Sequence, residues 1–131
     1  MKTGRTGERR RTLIAVDGSI ACLDSYREFL DEDYDLIVCK RGMDALRIIE
    51  ARPIDLLITG MYLEDMTGMN LLVTKNRGVF KDIPVLMISG GTEFETEELA
   101  HIYGVQGYLR KPVRRDTLRE KIQGLLREKE Q

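Results

Sequence analysis

The chain reads as a three-layer α/β sandwich: a five-stranded parallel sheet in the order 2-1-3-4-5, with five flanking helices and right-handed crossovers. Three observations predict this. From Leu13 onward, short apolar runs of strand length alternate with stretches of helical periodicity. Several of those runs end on polar residues: Leu13-Ile14-Ala15-Val16 on Asp17, Ile83 to Ile88 on Ser89, and Gly107 to Arg110 on Lys111-Pro112. In an open parallel sheet such residues converge in the crevice beyond the carboxyl ends of the strands. The third observation is length, since 131 residues make one domain with room for a proper core.

The elements follow in order. Residues 1 to 11 hold Lys2, Arg5, Arg9, Arg10 and Arg11 against Glu8, without apolar periodicity, and read as a flexible basic tail ahead of a domain over 12–131. Ser19 is a good N-cap for a first helix that buries Cys22, Tyr26, Phe29 and Leu30. Asp35 to Cys39 is the second strand. Gly42 then opens a helix with Ala45, Leu46 and Ile49 inward, stopped before Pro53. Asp55-Leu56-Leu57-Ile58-Thr59 is the third strand, closed by Gly60. A loop from Met61 to Gly68 leads to a helix carrying Leu71, Leu72 and Val73, ending near Gly78. After the Ile83 strand, Thr92 and Glu95 form a capping box for a fourth helix with Leu99 and Ile102 on its apolar face, ended by a left-handed cap at Gly104. Leu118, Ile122, Leu125 and Leu126 define a last amphipathic helix, with Asp116 in its first turn and Arg127 and Lys129 near its end.

Composition narrows the function classes. A hydrophobic fraction of 42% and a charged fraction of 33% suit a soluble globular domain. A formal net charge of -1 argues against a dedicated nucleic-acid binder. The chain has no stretch of membrane-spanning length and no signal-peptide pattern. Cys22 and Cys39 fit no metal spacing and read as core residues of a protein in the reducing cytoplasm.

The strand ends place an acid (Asp17), a hydroxyl (Ser89) and a lysine (Lys111) around Gly60, a residue without a side chain where the pattern calls for a carboxylate. That set suggests a phosphoryl-handling site with its centre removed. At these residues the chain resembles the receiver domains of two-component response regulators, over roughly residues 12 to 126. Asp17, Ser89, Tyr108, Lys111 and Pro112 fit in order and spacing, and Gly68 fits the turn glycine after the third strand. The departures are Gly18 at the second acid of the first strand's pair, Gly60 at the phosphoacceptor, Glu64 at a usual loop proline and Gly90 at a usual alanine.

The resemblance implies a flavodoxin-like, receiver-type sandwich acting as a phosphorelay signalling module. In such domains the acid at the Gly18 position and the phosphoacceptor are direct magnesium ligands, the lysine contacts the phosphoryl group, and the bond before proline is cis. Phosphoryl transfer to an aspartate needs a nucleophile, a divalent cation and donors for the phosphoryl oxygens. With glycine at 18 and 60 the nucleophile is gone, and Asp17 alone should bind magnesium weakly or not at all. Lys111 is then expected to pair with Asp17. Ser89 and Tyr108 keep their places in the fold without the switch they would serve.

Neighbouring acids are poor substitutes. Asp55 lies at the far end of its strand, ~10 Å or more away at strand rise. Glu64 and Asp65 sit in the following loop, where loose positioning would make a weak nucleophile. His101 reads as a surface residue without a second metal ligand, and Gly90-Gly91 matches no phosphate-loop signature. The leading expectation is a non-enzymatic, pseudo-receiver module working through a protein partner or a homodimer. Its contact face is the fourth helix, fifth strand and fifth helix, where Tyr103, Tyr108, Leu109 and Arg110 lie. The alternatives are a receiver phosphorylated on Glu64 or Asp65, and a small flavin- or nucleotide-binding protein. The last lacks a phosphate loop, because Asp17-Gly18-Ser19-Ile20 is short and acidic.

Overall fold

The computed structural model describes residues 10–78, 82–90 and 94–130. Along the chain it forms β1 (Thr12–Val16), α1 (Ile20–Leu30), β2 (Asp35–Cys39), α2 (Gly42–Ala51), β3 (Leu56–Thr59), α3 (Gly68–Asn76), β4 (Val85–Ser89), α4 (Phe94–Ile102), β5 (Gly107–Arg110) and α5 (Arg115–Glu130). All strand pairs are parallel and the order is β2-β1-β3-β4-β5, as the alternation predicts. Every residue of β1, β3 and β4 is buried, whereas the edge strand β2 is only partly covered. That contrast is what a sheet with helices on both faces requires.

Successive side chains of each strand feed two cores. Leu13, Ala15, Leu56, Ile58, Leu86 and Ile88 pack with Leu23, Tyr26 and Leu30 of α1 and with Leu118, Ile122, Leu125 and Leu126 of α5. Ile14, Val16, Leu57, Val85 and Met87 pack with Ala45, Ile49, Leu71, Leu72 and Ala100 of α2, α3 and α4. Val16 pairs with Thr59, and the next residue, Gly60, donates its N–H to Val16 O at 2.9 Å. This register sets Asp17 beside Gly60 at the carboxyl edge.

Two helical faces differ from the sequence reading. In α1 the inward residues are Leu23, Tyr26 and Leu30, spaced i, i+3 and i+7, while Cys22 and Phe29 flank that stripe and are only partly buried. In α4 the expected apolar face points outward: Leu99 is 46% and Ile102 72% exposed, and Ala100 faces the sheet. The C-terminal anchorage sets that rotation. Asn76 Nδ2 donates to Tyr103 O at 2.9 Å, Val105 N–H donates to Ala100 O, and Gly104 turns the chain with φ +102°.

Residues 1–9 of the expected basic tail, the Thr92–Glu95 cap and Gly91 lie outside the described residues. Arg10 and Arg11 are not part of a loose tail. Arg10 pairs with Asp35 at 3.0 Å and donates to Asp31 O, Glu32 O and Tyr34 O, closing the turn from α1 into β2. Arg11 pairs with Glu130 and lies 3.7 Å from Asp55. Asp55 accepts the Thr12 N–H at 2.8 Å, which holds this acid at the amino edge of the sheet, away from Gly60.

Candidate functional site

The carboxyl edge brings Asp17, Gly18, Gly60, Ser89 and Lys111 together. Asp17 is 2% exposed. Its Oδ1 accepts the Ser19 N–H at 2.9 Å, and its Oδ2 lies 2.9 Å from Lys111 Nζ. Lys111 is carried there by the end of β5: its N–H donates to Ser89 O at 2.9 Å, and the Lys111–Pro112 bond is cis. Partial burial acts to lower the Lys111 pKa. The hydrogen bond and charge of Asp17 outweigh it, with the Cys22 thiol contributing, and the pKa is raised. Cys22 therefore borders the site, although its sequence context gave only a core residue.

The space at the two glycines is already occupied. A Cβ built on Gly60 would lie 2.7 Å from Asp17 Oδ2 and 3.0 Å from its Cγ. A Cβ on Gly18 would lie 2.9 Å from Tyr62 O, the same carbonyl that accepts the Gly18 N–H at 3.3 Å. The β3–α3 loop thus closes on Gly18 through backbone. Its other end is pinned by Gly68, whose N–H donates to Met61 O at 2.7 Å and where any side chain would overlap Gly60 O. Thr59 Oγ1 donates to Gly60 O at 2.9 Å beneath the crevice.

Both loop acids have other partners. Glu64 pairs with Lys40 at 3.0 Å, and its N–H donates to Lys40 O. Asp65 accepts from Gly42 N–H at 2.6 Å and Met43 N–H at 3.0 Å, capping α2 from a distant loop. Slight burial would raise the Asp65 pKa, but these backbone donors outweigh it and hold the carboxyl below its usual range. The cap was missed because Arg41, the residue preceding α2, has no capping side-chain bond, and the real partner is 23 residues away. Asp65→Ala should therefore cost about 1 kcal/mol in urea unfolding, a typical loss for a capping carboxylate.

The remaining residues sit further out. Ser89 is buried at the end of β4, and Tyr108 is 8% exposed, with no hydrogen-bond partner for its hydroxyl among the described residues. Tyr103 is 43% exposed and Arg110 is exposed, both on the α4–β5–α5 side. His101 is half exposed and 4.0 Å from Glu97. Burial, with the Asp44 and Asp65 carboxylates, pushes the Cys39 thiol up to about 11, a neutral packing group at neutral pH.

A magnesium ion needs several oxygen ligands in near-octahedral array. Among the described residues Asp17 is the one carboxylate at this edge without another structural commitment, and its oxygens are engaged by Ser19 N–H and the Lys111 ammonium. Among the described residues no group of three or more His, Cys, Asp or Glu side chains is placed to hold a metal. The donor set does not fit the ion.

A doubly wound sheet with an acid, a hydroxyl and a lysine at its carboxyl edge defines a receiver-type signalling module. Residues 13–123 match the family model described as the response regulator receiver domain, and the chain belongs to that family. It is 32% identical over 111 residues to the regulatory protein LuxO of Vibrio cholerae, covering 83% of this chain and 24% of that protein. It is 29% identical over 94 residues to the transcriptional regulatory protein CitT of Halalkalibacterium halodurans, covering 70% of this chain and 40% of the relative. The chain thus spans about a quarter to two fifths of the length of these curated relatives. A CheY-like receiver domain protein from Methanospirillum hungatei superimposes with a TM-score of 0.86 at 28% identity, covering 93% of this chain and 98% of that one.

Proposed function

We propose that this receiver domain is a pseudo-receiver: a non-enzymatic, cytoplasmic signalling module that works through protein contacts without aspartyl phosphorylation. The observation that carries the reading is the Asp17 carboxylate lying against the space a side chain at position 60 would need, held there by Lys111. The lysine that would meet a phosphoryl group instead neutralises the one acid left, and magnesium binding is expected to be weak or absent. Receiver domains engage protein partners or dimerise. In this chain the α4–β5–α5 side, with Tyr103, Tyr108 and Arg110, is the contact face this reading favours.

The competing phosphoacceptors gain no support, because Glu64 is paired with Lys40 and Asp65 is committed to capping α2. Incubation with acetyl phosphate, or with beryllofluoride and magnesium, should leave the backbone amide NMR spectrum unchanged and add no phosphate by intact mass. Shifts spreading from Ser89 to Tyr108, with an added phosphoryl mass, would overturn the reading and point to Glu64 or Asp65.

A further inference from the structure

Tyr26 carries a hydroxyl that the fold does not use. Its side chain is 2% exposed, and among the described residues its oxygen has no hydrogen-bond partner. A buried hydroxyl in that position loses its hydration for nothing, so phenylalanine would suit the core better. The hydroxyl lies toward the carboxyl-edge crevice, since the two groups whose charge it feels are Asp17 and Cys22. Burial first, and then those two neighbours, push its pKa up, which keeps it a donor.

Cys22 stands one turn before Tyr26 on α1, at i and i+4, and is partly exposed. It belongs to the first turn of the helix, where its N–H donates to Ser19 Oγ at 3.2 Å. Its sulfur also reaches Lys111, whose ammonium has two side-chain partners, the Asp17 carboxylate and the Cys22 thiol. A helix N-terminus and an ammonium both stabilise the negative charge of a sulfur that attacks an oxidant. The Asp17 carboxylate opposes them and is itself matched by Lys111 and the Ser19 N–H. Cys39 is the contrast. It packs on the other face of the sheet, out of reach of Cys22, and its thiol is pushed up to about 11 and stays neutral.

We infer that Cys22 is an oxidant-sensing residue, oxidised by hydrogen peroxide to a sulfenic acid that the crevice holds between Tyr26 and Lys111. The sulfur attacks one peroxide oxygen, an S–O bond forms and the O–O bond breaks. The departing hydroxide takes the thiol proton and leaves as water, so sulfur loses two electrons and the peroxide gains them. The new oxygen accepts from the Tyr26 O–H, the donor that has no partner in the reduced form, and from the Lys111 ammonium. Lys111 is then shared between the oxidised sulfur and Asp17, which passes the change to the strand ends that this pair joins. The chain has two cysteines, and Cys39 cannot convert the product to a disulfide. The inference does not depend on the phosphorylation reading, because Cys22 keeps these neighbours whatever the loop acids do.

The full chain is treated with hydrogen peroxide at neutral pH in the presence of dimedone, and the adduct is located by peptide mass mapping. Cys22 should be labelled at least about tenfold faster than Cys39. Oxidation should shift the amides of Ser19, Gly60 and Lys111, and Cys22→Ser should abolish these shifts. Tyr26→Phe removes no hydrogen bond of the reduced protein, so Tm should hold. The lifetime of the trappable sulfenic acid should nonetheless fall about fivefold, the worth of one hydrogen bond. Lys111→Met should slow the oxidation by a similar factor, and Tyr26→Phe carries the test alone if that variant does not fold. Equal labelling of the two cysteines, no label on Cys22, oxidation that leaves those amides unmoved, or a sulfenic acid as long-lived in Tyr26→Phe would each overturn the inference.

Discussion

Gly60→Asp should lower stability by on the order of 3 kcal/mol in urea unfolding, the scale of an uncompensated buried charge. The new Cβ alone would come within 2.7 Å of Asp17 Oδ2, and Asp17 cannot swing away without losing Lys111 and the Ser19 N–H. The second carboxylate then shares one lysine with the first in a closed crevice, where like charges disfavour double ionisation. Gly60→Ala separates the two causes, since it adds the steric contact without the charge, and should cost clearly less. Adding Gly18→Asp should deepen the loss, because its Cβ meets the Tyr62 carbonyl, a backbone atom that moves only with the loop. The double variant should nonetheless acquire magnesium-dependent amide shifts and recover stability with added magnesium, as ligand binding to the native state requires. A Gly60→Asp midpoint equal to that of the natural chain would show that the space beside Asp17 is free.

Lys111→Met should cost about 2–4 kcal/mol, because it strands a buried carboxylate while keeping most of the side-chain packing. The lower end is favoured, since Asp17 keeps the Ser19 N–H and the Lys111 side chain is 26% exposed. Adding Asp17→Asn should restore much of the loss, and the double-mutant cycle reads the pair's coupling directly. The pH dependence has a definite sign. The folded pKa of Lys111 is raised above the ordinary 10.5, so its contribution is fully present below that value and is lost as pH rises through the folded pKa. The stability gap between the natural chain and Lys111→Met should stay constant from neutral pH to about 10 and close above it. A gap absent at neutral pH would mean that the ion pair contributes nothing.

Much of this molecule is legible in its residue order. Strand positions, the Ser19 cap and the Gly104 turn each follow from a local rule, the strand order follows from the alternation of strands and helices with converging strand ends, and each holds in the structure. The convergence of Asp17 and Lys111 was also legible, because strand ends in a parallel sheet share one edge and opposite charges there pair. Rotation of the helices was not. Leu99 and Ile102 have the spacing of a core stripe, yet α4 turns Ala100 inward, and only its anchorage through Asn76 and Gly104 decides this. Lys75, which no sequence pattern singles out, is likewise buried at 1% exposure and donates to Asn76 Oδ1 at 2.9 Å, behind the same anchor.

The sequence by itself determined the fold, the family resemblance and the absence of a carboxylate at positions 18 and 60. These depend on periodicity and on residue identity, which are properties of the chain. Whether those glycines left an open pocket or a filled one was decided by tertiary structure alone. The answer depends on where the Asp17 carboxylate and the Tyr62 carbonyl come to rest, within 3 Å of atoms that are not there, and such distances arise only when separate strands and loops pack together. The same holds for Asp65, whose capping role depends on the backbone of Gly42 and Met43 coming to meet it from another part of the chain.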